Sequence, residues 1–517
     1  MKKLLSPPSG LSLRLLAAAA LTLALASCGG GGGGGSSTPA TPETPVTTPD
    51  TAGGTTTTTD SGTGGTTTTT TSPAGTVALT MSPPSVLAGK TSTLSWSTAN
   101  VDTCEASGAW SGAQATSGNL AISRAQAGSY TYSLTCTSAA GTVSSSATLT
   151  VTTPVSNVAA LTVNSGPQGS SFNAPFVSVT ICQPGSSVCK TVDNILVDTG
   201  SFGLRVFDTG VLNGTLPLPA VTNAAGRPVA ECAQFVSGFT WGSVRRADVK
   251  IAGEVASNIP IEIIADSDST YSTVPSACSS AGANVGSVAA MGANGILGVG
   301  LFKEDCGAAC VQSTSPNYYF ACANGSCTST TLPLASQVSN PVPSFAYDNN
   351  GVLISLPAVA SGGQSSLTGS LIFGVDTQDN NRLGSAAVFK ADQSANFQTT
   401  YKGKTYYGSF IDSGSNGLYF PDATIAKCSA SSNFYCPGST LNLSATNAGY
   451  DGTNATVANF YLDDLRYLAG TTTAASIGGN PGMTSFDWGL PFFFGRPVFV
   501  VMDKASTSKG VGPFWAY

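Results

Sequence analysis

Two short segments of this sequence carry residue types at a spacing suited to acid–base chemistry. Asp198-Thr199-Gly200-Ser201 lies within Ile195 to Leu204, and Asp412-Ser413-Gly414-Ser415 lies within Ser409 to Leu418. In each, apolar residues lead into an Asp, followed by a hydroxyl residue, Gly, Ser, a variable residue, Gly and Leu, and 214 residues separate the copies. Two carboxylates brought side by side cannot both ionise, so such a pair shares one proton. One carboxyl can then take a proton from a water while the other gives one to a carbonyl oxygen, with a titration that belongs to the pair. Gly200 and Gly414 would let the backbone turn tightly beneath the carboxyls. The hydroxyls of Thr199, Ser201, Ser413 and Ser415 could hold carboxyls and backbone in place. A single Asp-Thr-Gly-Ser also makes a good surface turn; the repetition, each copy entered by an apolar strand, points to a paired site at Asp198 and Asp412.

Composition removes the main competitors. The 517 residues include no histidine, which excludes a Ser-His-Asp triad, a Cys-His dyad and His-ligated zinc. Acid–base work falls to Asp, Glu, Tyr, Lys or Cys. Closely spaced cysteine pairs of the metal-binding kind are absent, so neither a metal nor a cofactor is expected. A net charge of −6, with 9% charged residues and no basic run, offers nothing to a phosphate backbone, so nucleic acid is not an expected partner.

The elements that must position the two Asp residues are strands. From Pro154 onward, β-type segments alternate with Gly, Asn and Pro turns, and helical periodicity is scarce. An earlier stretch, residues 76–152, has alternating strands such as Ser129 to Leu134 and Ala147 to Val151, and reads as a small immunoglobulin-like β-sandwich serving as a spacer. Trp96 is expected near a Cys104–Cys136 bridge there. Before it, residues 28–75 are almost wholly Gly, Ser, Thr, Pro and Asp, a composition that cannot offset the entropy of ordering and reads as a disordered tether.

The first residues, Lys2-Lys3 followed by the apolar run Leu15 to Leu25, read as a signal peptide over residues 1–27. Its end, Leu25-Ala26-Ser27-Cys28, resembles a bacterial lipobox. That resemblance implies a lipid on Cys28 and, with Gly29 next, anchoring in the cell envelope at the outer membrane, with the face left open. Of 13 cysteines, twelve then remain, an even number in an exported chain, and disulfides are the default. Local spacing suggests Cys104–Cys136, Cys182–Cys189, Cys232–Cys278, Cys306–Cys310, Cys322–Cys327 and Cys428–Cys436.

With both Asp loops in view, the region from about Asn157 to Tyr517 resembles the two-lobed, pepsin-like aspartic peptidases. Ile296-Leu297-Gly298 and Phe493-Phe494-Gly495 resemble the apolar-apolar-Gly elements that complete the packing around each Asp loop. Leu371 to Asp376 resembles the strand closing the first lobe, and Val498 to Asp503 the penultimate strand of the second. The segment from Phe235 through Ser237, Gly238 and Trp241 to Gly253 is similar to the family's flap, a β-hairpin over the substrate, although an ordinary exposed hairpin would read alike. The resemblance implies an all-β fold, with a two-lobed pepsin-like β-barrel domain of lobes 157–377 and 378–517 following the sandwich. The implied function is a monomeric aspartic-type endopeptidase acting on polypeptide through Asp198 and Asp412. Three departures stand out. Phe235 replaces the flap tyrosine, with Trp241 nearby as a substitute indole donor, and Arg205 and Arg496 take positions where the family is apolar or acidic. They keep open an inactive pepsin-fold surface module that binds a peptide or glycan, and a purely structural lipoprotein. Tyr318-Tyr319-Phe320, between Cys306 and Cys327, is expected to be a packed aromatic cluster.

Overall fold

The computed structural model describes residues 73–153, 156–360, 362–468 and 470–517. The expected leader at 1–27, Cys28 with its expected lipid, and all but the last three residues of the expected tether at 28–75 lie outside the described residues. The described chain is all-β in character and divides into two units, one on either side of residues 154–155.

The first unit has two sheets. In one, Thr91–Ala99 lies between Thr76–Ser82 and Ser117–Ser123. In the other, Gly128–Ser138 lies between Thr103–Gly108 and Gly141–Thr152, with Ser85–Leu87 and Gly112–Gln114 at the edges. The period-2 pattern explains the packing: Tyr132, Leu134 and Cys136 point inward, while Thr131, Thr135 and Thr137 are exposed. Cys104 and Cys136 face each other across adjacent strands and are bridged. Trp96 packs on the core that contains this bridge, edge-on to Trp110 at 5.2 Å.

The second unit, residues 156–517, has two lobes joined by a shared sheet. The earlier lobe contains Pro175–Cys182, Cys189–Asp198, Phe202–Phe207, Val229–Phe235, Gly238–Ile251, Glu254–Ile264 and Gly295–Val299. The later lobe is a separate seven-stranded sheet that includes Phe397–Tyr401, Lys404–Ile411, Leu418–Tyr419, Leu441–Ala448, Thr456–Leu462 and Asp487–Trp488. Between them run, in spatial order, Val158–Val163, Leu367–Phe373, Gly351–Ser355, Val498–Val501, Phe514–Ala516 and Val388–Lys390. Leu367–Phe373 and Val498–Val501, expected in different lobes, therefore both belong to this shared sheet, where Gly351–Ser355 pairs with each. Such strands are covered on both faces, which is why they read as unbroken apolar runs such as Val498-Phe499-Val500-Val501.

All six suggested disulfides are formed, each joining a cysteine to the next one along the chain. Cys182–Cys189 and Cys322–Cys327 each close a hairpin at its turn. Cys232–Cys278 ties the strand Val229–Phe235 to the short helix Ser276–Ser279.

Candidate active site

Each Asp sits at the end of a buried strand that runs between two others. Cys189–Asp198 lies parallel to Gly295–Val299, with Asp198 opposite Gly298, and Phe202–Phe207 returns antiparallel on the other side of Gly295–Val299. A Cβ on Gly298 would stand 2.6 Å from the Phe202 nitrogen, so only glycine lets the returning strand approach. In the later lobe, Lys404–Ile411 lies parallel to Asp487–Trp488, the Asp412 N–H donates to the Trp488 carbonyl at 3.0 Å, and Leu418–Tyr419 returns antiparallel.

This register corrects one assignment. Leu196 pairs with Ile296 and Phe410 pairs with Asp487, so Asp487-Trp488-Gly489 occupies the place of Ile296-Leu297-Gly298. Phe493-Phe494-Gly495 does not: Phe493 ends a short helical turn, and Phe494 bridges to Leu356, just past the strand Gly351–Ser355. Arg496 consequently lies away from the Asp loop, with its guanidinium 4.0 Å above the Phe492 ring and 5.5 Å from the Tyr517 ring.

The two loops are interlocked. Thr199 Oγ1 donates to the Ile411 carbonyl at 2.9 Å and accepts from the Ser413 N–H at 2.9 Å. Ser413 Oγ donates to the Val197 carbonyl at 2.8 Å and accepts from the Thr199 N–H at 3.1 Å. Each carboxyl stands over the opposite loop's glycine: a Cβ on Gly200 would be 2.7 Å from Asp412 Cγ, and one on Gly414 would be 2.7 Å from Asp198 Oδ1. The near-symmetry extends to donors. Asp198 accepts from the Gly200 N–H at 2.8 Å and from Ser201 Oγ at 2.5 Å; Asp412 accepts from the Gly414 N–H at 2.8 Å and pairs with Ser415 Oγ at 2.8 Å. Both carboxyls are fully buried. Burial, then the charge of Asp198, then that of Asp487, hold the Asp412 carboxyl well above the usual carboxylate range.

Asp487 was not anticipated. It is 1% exposed, and its Oδ2 lies 2.6 Å from Ser415 Oγ. Burial is the main cause that pushes it well above the usual range. The available signal was its position two residues before a glycine that follows an aromatic residue, but a carboxylate there breaks the apolar pattern that sequence matching requires.

The hairpin over the first loop is formed by Val229–Phe235 and Gly238–Ile251, with Val236 and Ser237 at its turn. Phe235 lines a small pocket of about 60 Å³ with Gly200, Ser201, Phe202 and Tyr318. Ser237 Oγ is buried without a partner among the described residues. At Gly238, φ is +142° and an added Cβ would collide with the Ala283 carbonyl, so the tip packs directly on residues 283–285. Trp241 does not serve the site: its indole N–H donates to the Tyr271 carbonyl at 2.7 Å, and its ring is edge-on to Phe320 in a separate apolar cluster. It faces the opposite side of the hairpin from Phe235, as strand alternation requires of residues paired at this register.

Arg205 is buried at 2% exposure, and its guanidinium is held by Glu231 at 2.5 Å, Asp305 at 3.0 Å and Glu262 at 3.2 Å. Burial alone would lower its affinity for a proton; the three carboxylates outweigh that and raise it. Glu262 in turn is raised to about 7 by burial, partly offset by Arg205. Tyr319 donates to Asp305 at 2.5 Å and accepts from the Val338 N–H, while Tyr318 reaches the pocket beside Phe235. The aromatic run is thus packed, as expected, with Tyr318 half-buried against the cluster that holds Tyr319 while it also lines the pocket. None of the three acids around Arg205 was singled out from sequence, although a lone arginine in an apolar strand implies partners.

Across the dyad, a second small pocket is lined by Phe172, Asn173, Leu196, Met291, Gly414 and Asn416, among others. The buried Asn173 side chain ties this region to the later lobe, donating to the Asn416 and Ala474 carbonyls at 2.9 and 2.8 Å.

Among solved structures, the chain is similar to the aspartic proteinase from Irpex lacteus, at 15% identity and a TM-score of 0.39, covering 70% of this chain and 96% of that one. No curated protein matches it. A protein-family model described as "Protein of unknown function (DUF3443)" matches residues 153–517, and the chain belongs to that family.

Proposed function

We propose that this chain is an aspartic-type endopeptidase whose dyad is Asp198 and Asp412. The observation that carries the reading is the reciprocal lock between Thr199 and Ser413, which leaves each carboxyl poised over the other loop's glycine. A pair in this arrangement shares a proton. One carboxyl takes a proton from a water attacking the amide carbon while the other donates to the carbonyl oxygen; as the tetrahedral intermediate collapses, a hydroxyl returns a proton to the second carboxyl, the C–N bond breaks, and the first carboxyl gives its proton to the departing amine nitrogen. An extended polypeptide would cross the dyad between the pocket at Phe202 and Phe235 and the pocket at Phe172 and Asn416, with the Phe235 hairpin closing over it to exclude water.

A second reading is favoured by one observation: with Phe235 lacking a hydroxyl and the Trp241 N–H committed to Tyr271, neither residue offers the cleft a hydrogen-bond donor. On that reading the cleft binds a peptide or glycan without cleaving it. The discriminating experiment incubates the purified protein with unfolded protein and a peptide library from acid to neutral pH, beside Asp198→Asn and Asp412→Asn. Cleavage by the wild type that both variants lose supports the dyad; binding retained by all three without cleavage sinks it.

The same proposal places the mature protein as a monomer on a lipid at Cys28, facing polypeptide in the bacterial cell envelope at the outer membrane. Membrane association that persists in Cys28→Ala would remove that part.

A further inference from the structure

Ser415 Oγ stands between two carboxyls, 2.8 Å from Asp412 Oδ2 and 2.6 Å from Asp487 Oδ2. A serine hydroxyl owns one hydrogen. It can donate to one of these oxygens, and the other contact then needs a hydrogen from the carboxyl itself, because two oxygens facing each other without one would repel. The earlier lobe has no such third acid: the matching strand position is the fully buried Ile296.

The surroundings of Asp487 decide where that hydrogen resides. Its Oδ1 has no partner among the described residues. The titratable groups facing it are Asp412 and Asp198 at the dyad, and Tyr419, which pairs with it across the sheet. No ion pair among the described residues brings a cation to any of the three Asp residues. In such a place the charged form is the costly one.

We propose that Asp487 is a positioning residue of the dyad: protonated, it donates to Ser415 Oγ and so turns the Ser415 hydrogen onto Asp412 Oδ2, and on ionising it takes that hydrogen back. Ionisation removes one of the donors to Asp412 and adds a negative charge beside the pair; both raise the proton affinity of Asp412, so the shared proton is held there more tightly and is given up to a carbonyl oxygen less readily. Asp487 thereby sets the upper pH limit of the site. Its catalytic consequence rests on the endopeptidase reading; the placement of its hydrogen does not.

The test uses the full chain with Asp487→Asn and Asp487→Leu, the latter copying the apolar side chain of the earlier lobe and guarding against one variant failing to fold. Thermal midpoints of all three are measured against pH, together with kcat on an unfolded protein substrate. A carboxyl with a raised folded pKa stabilises fully below its unfolded value and loses that contribution as pH rises through the folded one. The midpoint of each neutral variant minus that of wild type is therefore expected to grow by several degrees between about pH 4 and 8. The upper limb of the kcat profile is expected to move up by about one pH unit in Asp487→Asn. A midpoint difference that is flat, or that grows toward acid, means Asp487 carries its charge throughout and overturns the proposal. Turnover with an unshifted upper limb overturns the positioning role. A growing midpoint difference in a protein that cleaves nothing sinks the endopeptidase reading and leaves the hydrogen on Asp487.

Discussion

Thr199 and Ser413 each hydrogen-bond the backbone of the strand that delivers the other, so neither Asp loop can shift without breaking bonds in both lobes. All four bonds are buried. The geometry of the two carboxyls is therefore a property of the lobe pair rather than of either loop.

Thr199→Val should accordingly destabilise the protein more than an ordinary surface change. It strands the Ile411 carbonyl and the Ser413 N–H, at about 1–3 kcal/mol for each buried group left unpaired. Thr199→Ser should restore most of the loss. Urea denaturation of the two variants reads the difference, and equal stability of both would show that the hydroxyl is dispensable.

Gly414→Ala places a methyl group 2.7 Å from Asp198 Oδ1. The carboxyl must move, and misplacement of a reacting group by an ångström costs about 100-fold in rate. Peptidase activity of a folded Gly414→Ala protein should fall by at least that factor, with Gly200→Ala behaving alike toward Asp412.

Asp412→Asn should lower turnover by about 10²–10⁴-fold, the usual range for losing an acid–base group. Its stability should move the other way at higher pH. Asp412 has a raised folded pKa, so its contribution is complete below the unfolded value and is lost as pH rises through the folded one. The amide has no such loss, and thermal midpoints against pH should show Asn gaining on Asp as pH increases.

Arg205→Met leaves Glu231, Glu262 and Asp305 buried without their cation. Breaking a buried ion pair from one side costs about 3–5 kcal/mol near neutral pH. In acid the three carboxyls take protons and the penalty shrinks, so the gap to wild type in urea midpoints should widen from acid to neutral pH. A gap independent of pH would assign the effect to lost packing instead.

Glu254 should give the native protein part of its own alkaline sensitivity. Burial, then Asp348, raise it to about 7, so the stability it contributes is present below its unfolded pKa and is lost as pH rises through about 7. Glu254→Gln should flatten the wild-type decline in thermal midpoint between about pH 5 and 8.

How much of this was legible in the sequence varies with the kind of signal. Asp198 and Asp412 announced themselves because the chain repeats the whole local solution, strand, Asp, hydroxyl and glycine, twice. The disulfides were legible because partners are near neighbours along the chain. The second packing glycine was misread as Gly495 because Phe493 and Phe494 satisfy an apolar pattern, whereas the residue that fills the strand position is Asp487, whose burial depends on Ser415 and could not be seen from composition. Trp241 was misplaced for a different reason. Its proximity to Phe235 along the chain says nothing about the face of the hairpin, and the cluster of Cys232, Cys278 and Phe320 claims its ring. Arg205 was noticed as a cation out of place, but its three acids come from segments 26 to 100 residues away, and only the fold gathers them.

The pattern of bridges bears on how the chain reaches this state. In every pair a cysteine is joined to the next one in the sequence, and no two loops interleave. A chain emerging N-terminus first into an oxidising compartment would thus obtain its native crosslinks if each thiol were simply coupled to its immediate successor, with no reshuffling by an isomerase. That rule tolerates no extra thiol ahead of Cys104, since one unpaired cysteine there would put every later pairing out of step. Cys28 is such a residue; on the proposed lipid anchor a thioether would hold its sulfur out of circulation, and the counting from Cys104 would be kept.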